Sequence, residues 1–366
     1  MTVYLVDLEA VETRYTAQWK QFLPEQMRAA GLDVEVISGG EVPQATTPGA
    51  FLNFAGTNSY KSQQLLKISE LFANGTVKAG DYFLYTDAWN PTVIQLKYMS
   101  ELLGIPVKIG GMWHAGSYDP QDFLGRLIGD VPWVRNAESS MFYCYDHNFF
   151  ATRFHVNLMA KNLFGVETLF GDDEAEEFMD EHDQRIKIVG WPMEYLNDIL
   201  SPYADTPKKQ KIIFPHRLAP EKQLDIFRDL AKAMPEYEWF VAQDQPLTKA
   251  EYHQHMAESK LMFSANLQET LGISAYEAAL VGTLPLLPER LSYTEMWDMD
   301  GLYPTEWTED WAAYLDNREH MIKYVRFMME GINADIKTQA LDAANDTGDQ
   351  FFSGAALYET ISDAQI

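Results

Sequence analysis

Cysteine is nearly absent from this sequence: its 366 residues include one, Cys144. No intrachain disulfide can form, and neither a Cys₄ nor a Cys₂His₂ zinc site is possible. Cys144 lies in the apolar run Met141-Phe142-Tyr143-Cys144-Tyr145, which reads as a buried strand with the thiol as a small core hydrophobe. Positive charge is also scarce: 28 basic residues stand against 54 acidic ones, a net charge of -26. A field of that sign repels phosphate backbones and anionic membranes, so any nucleic-acid contact must be local and salt-sensitive. No apolar run approaches the ~18 residues needed to span a bilayer. The opening Thr2-Val3-Tyr4-Leu5-Val6 is too short for a secretion signal and lacks a basic start. A soluble, cytoplasmic protein with no membrane partner and no obligate protein partner is expected. The glycine fingerprint of dinucleotide-binding dehydrogenases is missing too. After the first apolar run stand Leu8-Glu9-Ala10-Val11-Glu12 instead of G-x-G-x-x-G.

Aromatic residues are plentiful at 13% and hydrophobic ones reach 46%, enough for sizeable cores. Short β-rich runs alternate with helix-type spacing. Strands are expected at 2–8, 33–37, 81–86 and 106–110, with helices at 13–30, 60–73 and 91–103 between them. Pro24 is expected to kink or split the first helix. The run 171–183 holds eight acids (Asp172, Asp173, Glu174, Glu176, Glu177, Asp180, Glu181 and Asp183) and reads as a solvated loop. A strand at 186–190 follows. The segment 200–210 is polar, carries two prolines and changes charge sign, which marks a domain boundary. The alternation then restarts. Strands are expected at 211–215, 237–242, 260–264 and 284–287, and helices at 221–233, 248–258 and 273–281. The tail from 308 is helical with a polar break at Asp346-Thr347-Gly348. The expected organisation is a Rossmann-like domain over 1–203, a second over 204–345, and a C-terminal helix over 346–366 that crosses back to the first domain.

Parallel sheets bind ligands beyond the carboxyl ends of their strands, at helix N-termini. One such junction is Glu269-Thr270-Leu271-Gly272-Ile273-Ser274-Ala275-Tyr276-Glu277. Gly272 permits close backbone approach, and the N–H groups of Gly272, Ile273 and Ser274 open a helix that can cradle an anion. Glu269 and Glu277 can accept hydrogen bonds from hydroxyls on either side of a bound diphosphate. Another junction is Pro215-His216-Arg217-Leu218-Ala219-Pro220-Glu221-Lys222, where Arg217 and Lys222 can neutralise phosphate.

Together these two junctions resemble the donor half of retaining GT-B glycosyltransferases, the family typified by glycogen synthases and bacterial mannosyl- and glucosyltransferases. The family's G-R-x-x-x-x-K segment is matched by His216-Arg217 through Lys222. Its E-x₇-E segment is matched by Glu269 through Glu277, and Ala278 through Gly282 continues it. The order and spacing agree over residues 208–290. Two positions depart: His216 stands where the family has glycine, and so does Thr270. The resemblance implies an α/β GT-B fold, with two Rossmann-like domains facing a central cleft. It implies a transferase that uses a nucleotide-sugar co-substrate, expected as a UDP-sugar, and needs no cofactor and no metal. Arg217 and Lys222 would hold the diphosphate and Glu277 the ribose. Glu269 would contact the transferred sugar, and the backbone at Gly272, Ile273 and Ser274 would steady the leaving phosphate. Asp298-Met299-Asp300, which copies a metal-binding D-x-D, reads as a surface turn.

In the first half, Gly110-Gly111-Met112-Trp113-His114-Ala115-Gly116 ends a strand. The resemblance gives His114 a role at the reaction centre, and Asp87, Trp89, Trp113, Asp119 and Arg126 are candidates for acceptor binding. The strings TDAWNP and MWHAGSYDPQDFLGR are similar to glycosyltransferases of large tailed phages that add sugar to hydroxymethylated pyrimidines in DNA. A 5-hydroxymethylpyrimidine in DNA is therefore the leading acceptor. Docking would use Arg14, Lys20, Lys61, Arg126, Arg135 and Arg153, with the base flipped from the stack. A glycan, lipid or small-molecule acceptor, and a sugar-nucleotide epimerase or hydrolase, are the alternatives.

Overall fold

Strand β1 (Val3–Val6) is buried along its whole length and sits between β2 (Val34–Ile37) and β3 (Tyr82–Tyr85). The computed structural model describes residues 1–11, 15–43, 45–47, 52–166, 173–297, 301–331 and 333–364. Beyond β3 the sheet continues through β4 (Lys108–Met112), β5 (His147–Phe150) and β6 (Ile186–Ile188), in the order β2-β1-β3-β4-β5-β6 with every pairing parallel. Parallel pairing demands crossovers, and helices Tyr15–Ala29, Phe54–Ala73, Thr92–Leu103, Pro132–Cys144 and Arg153–Phe164 supply them. Strands covered on both faces are apolar throughout, which explains the continuous runs VYLV and YFLY.

A second all-parallel sheet holds β7 (Lys211–Phe214), β8 (Glu238–Val241), β9 (Leu261–Phe263), β10 (Leu284–Pro288) and β11 (Leu302–Tyr303), in the order β11-β10-β9-β7-β8. Its core gathers Ile212, Phe214, Phe227, Phe263, Leu284, Tyr303 and Tyr314. The chain divides into two units: Met1–Met193 together with Gly354–Ile366, and Glu194–Ser353. Among the described residues no helix is long and apolar enough to cross a membrane.

Several local expectations are corrected. Met141 through Cys144 are not a strand but the end of helix Pro132–Cys144. Val134, Glu138, Met141 and Phe142 are buried at helical spacing while Tyr143 is exposed. The strand is β5, a few residues later, and Cys144 is half-buried at the helix end. Helix Tyr15–Ala29 runs unbroken past Pro24, which packs into the core. Of the acidic run, Asp173–Glu181 is helical, anchored by buried Phe178 against Phe164 and His182 at 5.1 and 4.5 Å between ring centres. The break at Asp346-Thr347-Gly348 is absorbed into helix Asn333–Phe351. Thr347 Oγ1 donates to Ala343 O at 2.7 Å, and Gly348 lies where a Cβ would stand 2.8 Å from Tyr276 Oη. The motif Asp298-Met299-Asp300 lies outside the described residues.

Candidate functional site

In the second sheet the chain leaves β7 for β8 on one side, then returns to place β9 on the other. The carboxyl ends of β7 and β9 therefore flank a topological switch point, where open α/β sheets form crevices. Both sequence junctions fall there. Beyond β7, a short 3₁₀ turn (Pro220–Lys222) ends at Gln223, held in the left-handed region at φ 51°. Gln223 earns that backbone by donating Nε2 to Ala265 O at 2.7 Å and Thr308 O at 2.6 Å. Arg217 donates from Nε and Nη2 to Glu221 Oε1 at 3.1 and 2.5 Å, and the Glu221 side chain is wholly buried. The guanidinium is thus fixed in orientation while remaining partly exposed.

Lys222 is buried, with Nζ donating to Gln268 O at 2.6 Å and lying 3.6 Å from Glu269 Oε2. Burial pulls its ammonium below the usual lysine range, against the opposing pull of Glu269. Glu269 Oε2 is also 3.4 Å from Asn266 Nδ2. Gly272 adopts φ 80° and caps helix Ile273–Leu280, so the N–H groups of Ile273 and Ser274 lie in its first turn. Glu277 is buried one turn further on. It accepts from Tyr252 Oη at 3.0 Å, with Lys249 Nζ 4.0 Å and His253 Nε2 3.7 Å away. Burial alone would raise its carboxyl; Lys249, His253 and Tyr252 outweigh that and hold it below the ordinary range.

Arg290, beyond β10, ties the strand ends together. Its guanidinium donates to Asn266 O at 2.8 Å, Ala265 O at 2.9 Å, Thr305 O at 3.0 Å and Thr308 O at 3.1 Å. Sequence reasoning missed Arg290, Asn266 and Tyr293, whose roles depend on contacts distant in sequence. Lys249, Tyr252 and His253 could have been found, because their i, i+3, i+4 spacing puts them on one helix face.

The first unit has its own polar cluster at the carboxyl ends of β3 and β4. His114 Nε2 donates to Thr86 O at 2.6 Å, and Nδ1 accepts from Tyr15 Oη at 2.9 Å. The ring stands among Tyr15, Trp19 and Trp191 at 5.8, 5.4 and 5.2 Å. Both ring nitrogens are therefore engaged. Asp87 accepts from Trp89 N and Lys61 Nζ, each at 3.0 Å. Trp89 Nε1 donates to Glu138 Oε1 at 3.0 Å, an oxygen that also accepts from Ser117 N at 2.8 Å. Asp87 and Trp89 are thus joined. Asp119 and Arg126 instead both bond Gln121, at the turn before helix Phe123–Ile128. Trp113 is wholly buried with Nε1 on Asn148 Oδ1 at 2.8 Å, so its ring is a core element and has no face for an acceptor. Of the cations named for DNA docking, Arg14 lies outside the described residues. Lys20, Lys61, Arg135 and Arg153 each sit within 3.4 Å of a carboxylate: Asp7, Asp87, Asp130 and Glu176.

The two parallel-sheet α/β units have the GT-B fold, which the chain shares along its whole length with solved glycosyltransferases. The solved structures agree. The chain is similar to the catalytic domain of starch synthase IV from Arabidopsis thaliana, solved with ADP and acarbose (TM-score 0.60, 11% identity, 100% of this chain and 99% of that one). It is similar to the UDP-forming α,α-trehalose-phosphate synthase of Burkholderia vietnamiensis (0.62, 11%, 99% and 99%). It is also similar to the sucrose-phosphate synthase of Thermosynechococcus elongatus (0.59, 12%, 99% and 99%). No protein-family model and no curated protein sequence matches the chain.

Proposed function

We propose that this protein is a glycosyltransferase that moves a sugar from a nucleoside-diphosphate donor to an acceptor hydroxyl, with retention at the anomeric carbon. The observation that supports it is the convergence of Arg217, Lys222, Glu269 and the Gly272 helix start at one switch point, with Glu277 one turn deeper. Arg217, pinned by Glu221, and Lys222 neutralise the diphosphate. The N–H groups of Ile273 and Ser274 face the charge that develops as the nucleoside diphosphate leaves. Fixed dipoles and cations placed before the reaction cost no reorganisation during it. Glu277, kept ionised by Lys249 and Tyr252, accepts from the ribose hydroxyls, and Glu269 from the sugar. In the first unit, His114, Asp87 and Trp89 are the residues proposed to meet the acceptor.

The test is to incubate the protein with UDP-, GDP- and ADP-sugars and two acceptor sets. One is DNA containing 5-hydroxymethylcytosine, digested to nucleosides; the other is a panel of glycans, sugar phosphates and lipids. Products are weighed, and their anomeric configuration is read by NMR. A heavier nucleoside assigns the DNA acceptor, and its mass increment separates hexose from pentose. Product formed from donor alone would replace the transferase with an epimerase or hydrolase.

A further inference from the structure

Among the described residues, two that are not glycine hold a positive φ: Gln223 at 51° and Leu291 at 61°. A side chain is seldom kept in that region unless the surrounding structure imposes it, and such positions cluster at functional sites. The two belong to different junctions of the second sheet, Gln223 beyond β7 and Leu291 beyond β10. Gln223 follows Lys222, and Leu291 follows Arg290. The two junctions meet on the same pair of carbonyls. Ala265 O accepts from Gln223 Nε2 at 2.7 Å and from Arg290 Nη2 at 2.9 Å. Thr308 O accepts from the same two groups at 2.6 and 3.1 Å. A carbonyl oxygen has two lone pairs, so both acceptors are filled. Arg290 also donates from Nε to Asn266 O at 2.8 Å and from Nη1 to Thr305 O at 3.0 Å. Every nitrogen of the guanidinium is therefore committed to oxygens of the protein itself.

What this fork and amide hold together are the segments that carry the donor groups. Glu269 stands three residues past Asn266, with Oε2 at 3.4 Å from Asn266 Nδ2 and 3.6 Å from Lys222 Nζ. Lys222 Nζ donates in turn to Gln268 O at 2.6 Å. Lys222 and Glu269 thus come from separate junctions, and the shared carbonyls tie those junctions at their base. We infer that Arg290 and Gln223 are positioning residues for the donor diphosphate: they clamp the strand ends so that Lys222 and Glu269 keep the spacing at which the phosphates bind. The inference rests on the donor reading above and deepens it. Glu277 takes its partners from elsewhere, because Lys249, Tyr252 and His253 all belong to helix Lys249–Glu258. The clamp therefore acts on the phosphates and not on the nucleoside.

The experiment is calorimetric titration of the full chain with inorganic pyrophosphate and with UDP, GDP and ADP. Wild type is compared with three variants, each first checked for a cooperative melt. Arg290→Lys keeps the charge and loses the fork. Gln223→Gly relaxes the left-handed backbone while removing the amide. Val325→Ala truncates the core of the same unit, away from the clamp. Arg290→Lys and Gln223→Gly should each weaken pyrophosphate binding by about tenfold, the size of one charge-assisted hydrogen bond to phosphate. The affinity that the nucleoside adds over pyrophosphate should stay within about twofold of wild type. Val325→Ala should lower the melting temperature and bind both ligands as wild type does. If Arg290→Lys does not fold, Gln223→Gly decides the matter, since relief of its φ offsets the lost hydrogen bonds. Variants that bind pyrophosphate as wild type does overturn the inference. So does an equal loss in Val325→Ala, which would make the effect one of stability alone, or a loss confined to the nucleoside. In each of these cases the donor reading stands. A wild type that binds neither pyrophosphate nor any of the three nucleotides overturns the donor reading itself, and this inference with it.

Discussion

Replacing Gly272 by alanine should destabilise the second unit by about 2–4 kcal/mol, and the sum can be worked from two local terms. The backbone at Gly272 has φ 80°, a left-handed conformation that costs an alanine about 1–2 kcal/mol. The new Cβ would stand 3.0 Å from Tyr293 Cε1. Tyr293 cannot retreat freely, because it is fully buried and its hydroxyl bonds Asn266 Nδ2 at 3.0 Å and Ser264 Oγ at 3.2 Å. Overpacking of this kind costs about 1–2 kcal/mol more. For a unit of this size the melting temperature should drop by roughly 5–12 °C. Thermal unfolding followed by circular dichroism measures it. A Tyr293→Leu background separates the two terms: there the crowding is relieved and only the backbone cost remains. A Gly272→Ala protein that melts within about 1 °C of its parent would refute the reasoning, because it would mean that neither strain nor crowding acts at this turn.

The remaining predictions concern the donor groups and acid stability. Glu277→Ala should weaken nucleoside-diphosphate binding by about 10–100-fold in equilibrium titration, the value of a hydrogen bond to a charged group. Arg217→Lys, which keeps a cation beside the buried Glu221 carboxylate but loses the guanidinium that Glu221 fixes, should lower turnover far more than melting temperature; equal loss of both would count against a role in catalysis. His155 is fully buried, and burial holds its imidazole down to about 3. Between that value and the unfolded value near 6.5, the unfolded chain takes up a proton that the folded one refuses. Stability therefore falls as pH falls, by about 2 kcal/mol between pH 7 and 5. Urea unfolding at the two pH values measures this, and His155→Gln should remove that share of the slope.

The alternation of buried runs and helical spacing made the parallel sheets legible, because strands covered on both faces must be apolar throughout. The segment His147–Phe150 escaped notice because it is short and begins with a polar pair, and its burial comes from neighbouring strands. The preceding Met141-Phe142-Tyr143-Cys144 misled for the opposite reason: four apolar residues in a row carry no period, and only packing shows that Tyr143 faces water. At the site, Arg217, Lys222, Glu269 and Glu277 could be read from spacing along the chain. Arg290, Asn266 and Tyr293 could not, since their value lies in hydrogen bonds to residues brought near by strand order. Trp113 was an acceptor candidate from its place beside His114, yet it is wholly buried just past β4 with its Nε1 on Asn148 Oδ1, a contact that only the neighbouring strand supplies.

The first unit is interrupted in sequence: Met1–Met193 is completed only by Gly354–Ile366, where helix Ala355–Asp363 buries Leu357, Tyr358 and Ile361. Synthesis runs from the N-terminus at about 5–20 residues per second, so the first unit waits on the order of ten to thirty seconds for its last helix. During that time Glu194–Ser353 emerges whole and can fold as one uninterrupted segment. The unit made first is thus finished last, and its uncovered apolar surface is the part of the newborn chain most exposed to chaperones and to aggregation.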